Sequence, residues 1–154
     1  MSHRTPAHLS LPSLEDYLPH QGKVAAAFEA LNQHDLAKFM SAWREDGVFI
    51  YPGDIPESGT YRGKAAVEAW FRHFLEQYPV LDFRVQAICV RNIFDLVGNN
   101  VIAAYWTRQM TNRAGREAQD SGVSVITGKL GKVVSVQDFF FDLGDDFRRN
   151  WSAV

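Results

Sequence analysis

At 154 residues, the chain has the length of one domain and enough of it to bury a core. Apolar residues make up 46% and charged residues 22%, and the net charge of −2 comes with no basic stripe, which argues against binding nucleic acid through its phosphates. The lone cysteine, Cys89, excludes an internal disulfide, and no apolar run is long enough for a signal peptide or a bilayer span, so a cytoplasmic protein with no membrane partner is expected.

Residues 1 to 21 mix prolines, histidines and polar residues and read as a partly ordered leader, with one helical turn possible over Ser13 to Leu18. A single domain is expected over 22–154. From Lys23, Val24, Ala27, Phe28 and Leu31 fall at helical spacing. The run Asn32-Gln33-His34-Asp35 breaks that helix, and Asp35 can cap a second one that buries Leu36, Phe39, Met40 and Trp43 and stops at Gly47. Val48 to Tyr51 predicts a short strand closed by Pro52-Gly53, and Thr60 to Arg62 another. Lys64 to Gln77 predicts a third helix, with Val67, Trp70, Phe71, Phe74 and Tyr78 along one side and Pro79 as its stop.

Beyond Pro79 the apolar period becomes two. Strands are predicted over Leu81 to Val90, extended by Phe94 to Val97, then Val101 to Thr111, Glu117 to Thr127 and Val133 to Asp142. A helical turn or two can follow between Asp145 and Trp151. Helices first and a strand meander afterwards predict an α+β domain, with N-terminal helices on the concave face of a curved antiparallel sheet. In the last strand Val134, Val136, Asp138, Phe140 and Asp142 share one face, and Val133, Ser135, Gln137, Phe139 and Phe141 the other. Apolar surface on both faces, with Trp106 and Met110 counted beside Phe139 and Phe141, predicts a homodimer; cover by the leader is the alternative.

The segments ALNQHDLAKFMSAWREDGVFIYPG, GTYRGKAAVEAWFRHF and GKVVSVQDFFFD resemble the nuclear transport factor 2-like superfamily. Within it they are most similar to the SnoaL-like polyketide cyclase, limonene epoxide hydrolase and ketosteroid isomerase branch. The resemblance implies a cone-shaped barrel of the cystatin-like kind, usually a homodimer, with a pocket between helices and sheet. It places Asp138 at the acid/base aspartate of the cyclases. It also implies what is missing: the arginine and second aspartate of the epoxide hydrolases fall on Tyr105 and Thr107. The three isomerase positions fall on Ala27, Tyr51 and the neighbourhood of Val123.

Asp138 between Val136 and Phe140 is the candidate acid/base, because an apolar surround raises a carboxyl pKa toward neutrality. An aspartate fixed structurally by a tyrosine or tryptophan, or wetted at a pocket mouth, fits the same pattern. Tyr51 and Tyr105 are candidate hydroxyl donors to a developing oxyanion, and ordinary aromatic lining otherwise. Phe39, Trp43, Phe71, Phe74 and Phe140 are the expected apolar wall, with Thr107 a polar addition and Asp120 another if the strand register turns it inward. The histidines, His3, His8, His20, His34 and His73, sit on no predicted strand and form no metal-ligand spacing, so no metal or cofactor is expected. These residues suit a cofactor-free isomerase, cyclase, dehydratase or hydrolase of a small apolar or aromatic molecule; the alternative is a ligand-binding or assembly module without turnover.

Overall fold

The structure, a computed structural model, describes residues 19–152. The expected leader lies almost wholly outside the described residues, as does the helical turn over Ser13 to Leu18. Helix α1 spans Pro19–Asn32 and α2 spans Leu36–Ser41. His34 takes a positive φ of 56° at the break, and Asp35 caps α2 by accepting from the backbone N–H of Lys38 at 3.0 Å. Helix α2 is shorter than its pattern suggests: Trp43 already opens strand β1, Trp43–Tyr51, and a bulge between Trp43 and Val48 keeps its indole in the core.

Strand β2 (Gly59–Arg62) pairs antiparallel with β1, and helix α3 (Lys64–Gln77) follows as its pattern predicts. Strands β3 (Val80–Val90), β4 (Val101–Thr111), β5 (Glu117–Lys129) and β6 (Lys132–Phe140) form the meander, and α4 (Asp145–Trp151) closes the chain. The expected extension over Phe94 to Val97 is a loop instead, tied by its own Asx turns: Asn92 accepts from Phe94 N–H, and Asp95 from Val97 and Gly98 N–H.

The sheet order is β2-β1-β6-β5-β4-β3. The sheet is curved and open, and it is mixed, because β1 runs parallel to β6. That pairing brings the first strand beside the last and centres the sheet on β6 and β5. Helices α1, α2 and α3 cover the concave face, and Phe39, Phe71 and Phe74 pack there against Phe49, Phe83 and Trp106. The amide of Asn32 locks α1 to β3, donating to Phe83 C=O at 2.9 Å and accepting from its N–H at 2.7 Å. Gly122 is required beneath Trp106: an added Cβ would lie 2.8 Å from the indole and 2.4 Å from the carbonyl oxygen of Phe139.

Two assignments of side chains to faces are corrected. Trp106 and Met110 lie wholly in the concave core, 1% and 4% exposed, so they offer nothing to a partner on the convex face. On β6 the pairing steps from Thr127↔Ser135 to Gly128↔Val133, so Val134 is the extra residue of a bulge and Val133, not Val134, turns inward with Val136.

Candidate functional site

Alternation along three adjacent strands builds the floor of the site. On β4 the residues Ala104, Trp106 and Arg108 face the helices; on β5, Asp120 and Ser124; on β6, Val136, Asp138 and Phe140. Register aligns them. Asp138 pairs with Ser124, Ser124 with Ala104, and Arg108 with Asp120. The helices supply the roof through Phe28 and Leu31 of α1, Phe39 of α2, and Trp70, Phe71 and Phe74 of α3. Between floor and roof lies a cavity of about 70 Å³, room for roughly five water molecules.

Asp138 is half-buried, with its carboxyl directed into this cavity. The Ser124 hydroxyl donates to Asp138 Oδ1 at 2.6 Å and accepts from Trp106 Nε1–H at 3.0 Å, so indole, hydroxyl and carboxylate form one relay. Oδ2 has no hydrogen-bond partner among the described residues. Burial pushes the carboxyl pKa up to about 6, against the opposing pull of the Ser124 hydrogen bond and the positive charge of Arg108. Deprotonated at neutral pH yet poorly solvated, it has the properties of a proton acceptor.

Arg108 is the residue that sequence reasoning missed. Its side chain is 2% exposed, and its guanidinium carbon lies 5.2–5.8 Å from the ring centroids of Phe74, Tyr78, Phe83, Trp106 and Phe140. Asp120 holds it in a fork: Nε–H donates to Oδ1 at 2.8 Å and Nη2–H to Oδ2. Nη1 is left with no hydrogen-bond partner among the described residues. Burial disfavours the charge, but the facing carboxylate outweighs it and holds Arg108 protonated. The signal was present in the sequence. Arg108 falls on the face of Trp106 and Met110, and Asp120 lies directly across the hairpin.

Of the candidate residues, Asp138, Tyr51, Phe39, Trp43, Phe71, Phe74 and Phe140 line the one cavity. Tyr51 accepts from Trp151 Nε1–H of α4 at 3.1 Å, and burial raises the pKa of its phenol, so it stays protonated. Tyr105 and Thr107 are not brought there. Tyr105 is paired with Val123 and, through it, with Phe139 on the convex face, where its ring meets Phe141 at 5.8 Å. Thr107 accepts from the Gln86 amide at 3.0 Å on that same outer face. The reason is the two-residue period: Asp138 shares a row with Ala104, so the neighbouring Tyr105 must point away. Asp120, conditional on register in the sequence, does turn inward.

Among the described residues no helix is long and apolar enough to cross a membrane, and no cluster of histidine, cysteine and carboxylate side chains could hold a metal ion.

With this geometry in view, the comparisons with known proteins agree on its architecture. The structure of Bal32a from a soil-derived mobile gene cassette superposes with a TM-score of 0.75 at 16% identity, covering 88% of this chain and 99% of that one. An NTF2-like protein of unknown function from Burkholderia pseudomallei superposes at 0.67 with 23% identity, covering 83% and 94%. TerC, co-crystallised with polyporic acid, superposes at 0.65 with 18% identity, covering 79% and 91%. No curated protein sequence matches the chain. Residues 24–136 match the model of the SnoaL-like domain. The chain is a member of the SnoaL-like domain family, with the nuclear transport factor 2-like fold.

Proposed function

We propose that the protein is a cofactor-free enzyme in which Asp138 moves a proton on a small apolar or aromatic carbonyl compound. The observation that carries this reading is the placement of one raised-pKa carboxylate and one buried arginine on the floor of a single aromatic-walled cavity. Asp138 Oδ2 takes a proton from the carbon beside the carbonyl. The electron pair moves to the carbonyl oxygen, where Nη1–H of Arg108 donates to the developing oxyanion. Return of the proton to a different carbon completes an isomerisation; attack of the carbanion on a second carbonyl, with the Asp138 proton passing to the new alkoxide, completes a cyclisation. Asp120 keeps Arg108 charged and oriented, and Tyr51 and Phe39, Trp43, Phe71, Phe74 and Phe140 hold the apolar body.

Proton exchange into cyclopentanone in deuterated water, followed by NMR, tests this without knowledge of the natural substrate. The protein should accelerate exchange at the carbon beside the carbonyl, and Asp138→Asn should remove about 10²–10⁴-fold of the acceleration. Binding of cyclopentanone with no exchange would favour the second reading, a binding module. That reading draws on the Trp106–Ser124–Asp138 relay, which also suits a structural role for the carboxylate.

We also propose that two copies pair through the convex face, where Tyr105, Phe139 and Phe141 are 37%, 46% and 65% exposed. Sedimentation velocity at micromolar concentration should show a dimer that Phe139→Ser/Phe141→Ser splits; a monomeric parent protein ends this part of the proposal.

A further inference from the structure

One end of the molecule carries apolar side chains that the core does not use. In the β3–β4 loop, Ile93, Phe94, Leu96 and Val97 are 57%, 82%, 96% and 60% exposed, and across from them Leu130 of the β5–β6 turn is 65% exposed. These tips form one surface, because the loop and the turn are joined. Gly131 N–H donates to Gly98 C=O at 3.1 Å, Leu130 N–H donates to Asn99 Oδ1 at 3.0 Å, and at Gly98 a Cβ would lie 2.3 Å from Gly131 N. Nor are the loop side chains displayed by a slack backbone: the Asx turns at Asn92 and Asp95 and the bond from the Asn100 amide to Asn92 C=O (2.6 Å) set its shape. Leu130 sits in the left-handed region with φ 51°, in a two-residue hairpin turn where asparagine or aspartate is favoured. Turn formation therefore gives no reason for a leucine there.

Basic groups predominate around this surface. Lys23, Lys38, Arg91, Lys129 and Lys132 are exposed at this end, and none makes an ion pair among the described residues. One hollow joins Lys23, Lys38 and Lys132 to Leu130. The loop's acid, Asp95, is folded inward to accept from Val97 and Gly98 N–H. The acidic groups Asp145 and Asp146 sit at the opposite end of the sheet, beside the β4–β5 turn, where Arg116 bridges to Asp146 at 3.1 Å. The internal cavity reaches the basic end: Ala27, Ala42, Ile126 and Val133 wall both that cavity and a second one opening beside Lys23, Gly98 and Gly131.

We propose that this end of the molecule docks on an anionic lipid surface, with Phe94, Leu96 and Leu130 among the headgroups and the basic rim against their phosphates. Apolar tips inside a cationic ring are complementary to a negatively charged bilayer interface, and a neutral apolar surface would leave the five charges unused. Such contact needs no spanning segment, so it departs from the expectation that the lack of one excludes a membrane partner. The cavity then opens toward the phase in which apolar molecules concentrate. The inference stands whether or not the cavity turns substrate over.

Co-sedimentation of the full chain with vesicles tests it. The probes are phosphatidylcholine vesicles, and vesicles of equal parts phosphatidylcholine and phosphatidylglycerol. The protein should pellet with the mixed vesicles, less so at high salt, and not with phosphatidylcholine alone. Phe94→Ser/Leu96→Ser should weaken binding about tenfold or more. Arg91→Glu/Lys129→Glu, which touches no core residue, should weaken it at least ~tenfold and remove most of the salt dependence. No binding to the mixed vesicles, or binding that both variants retain, overturns the proposal. So does a Phe94→Ser/Leu96→Ser variant that changes only self-association in sedimentation velocity, because the surface would then join two copies of the chain.

Discussion

The two faces of the same three strands divide into different chemistry. On the concave side β4, β5 and β6 present Trp106, Arg108, Asp120, Ser124, Asp138 and Phe140, each touching another of the set or the aromatic roof. On the convex side the intervening residues Tyr105 and Phe139 are exposed, with Tyr105 against Phe141, and Thr107 is bonded to Gln86. Composition along either row is similar, with aromatics and polar groups mixed. The helices make the difference: burial turns an arginine and two carboxylates into a coupled cluster, while the same residue types outside remain ordinary surface groups.

The largest effect should come from breaking the buried ion pair. Arg108→Met leaves Asp120 charged without its partner and should cost about 3–5 kcal/mol in urea unfolding. Arg108→Met/Asp120→Leu should recover most of that loss. The convex pair Arg84–Asp82, with side chains 67% and 43% exposed, is the control, and Arg84→Ala should change stability by less than about 0.5 kcal/mol. Equal losses at the two pairs would erase the contrast between the faces.

Aromatic truncation comes next. Phe140 packs on Tyr51, Trp106 and Phe147 with ring centroids 5.2–5.5 Å away, so Phe140→Ala should cost about 3 kcal/mol. Phe139→Ala, one residue along and on the convex face, should cost less than about 1 kcal/mol in the monomer.

A smaller effect, of opposite sign, is expected at Asp138. Its folded pKa of about 6 lies above the ordinary 3.8, so the folded chain holds this proton more tightly than the unfolded chain. Stability from this group is therefore intact below 3.8, falls as pH rises through that window, and is lowest above 6. At pH 7.5 Asp138→Asn should stabilise the protein by about 2–3 kcal/mol, and at pH 3.5 the gain should vanish. A variant equally stabilised at both values would mean that desolvation of the charge is not the cause.

Much of this division was legible in the sequence, and its errors are specific. Helix α3 and strand β4 follow their periods to the residue, because Pro79 and the Gly98-Asn99-Asn100 turn mark their limits. The family resemblance and the period of the last strand put Asp138 with Val136 and Phe140, as the structure does. Tyr105 and Thr107 were misplaced because a period of two gives each strand two faces without saying which face of one joins which face of the next. Only the Asp138–Ser124–Ala104 row decides that. Val133 was misplaced because a bulge leaves no mark in a hydrophobic pattern. Arg108 was missed because a charged residue between Trp106 and Met110 reads as an interruption until Asp120 is set opposite it. Trp43 fitted the face of α2 by spacing, yet the chain had already entered β1.

The central claim is that Asp138 is a desolvated carboxylate held ready to accept a proton beside a buried arginine. Its most direct test is a titration of the Asp138 carboxyl carbon by NMR in the full chain, with Asp138→Asn used to assign the resonance. The account predicts a midpoint near pH 6, lowered by the Ser124 and Arg108 contacts and so higher still in Ser124→Ala. A midpoint near the ordinary 3.8, unchanged in Ser124→Ala, would mark Asp138 as a solvated aspartate and contradict the account.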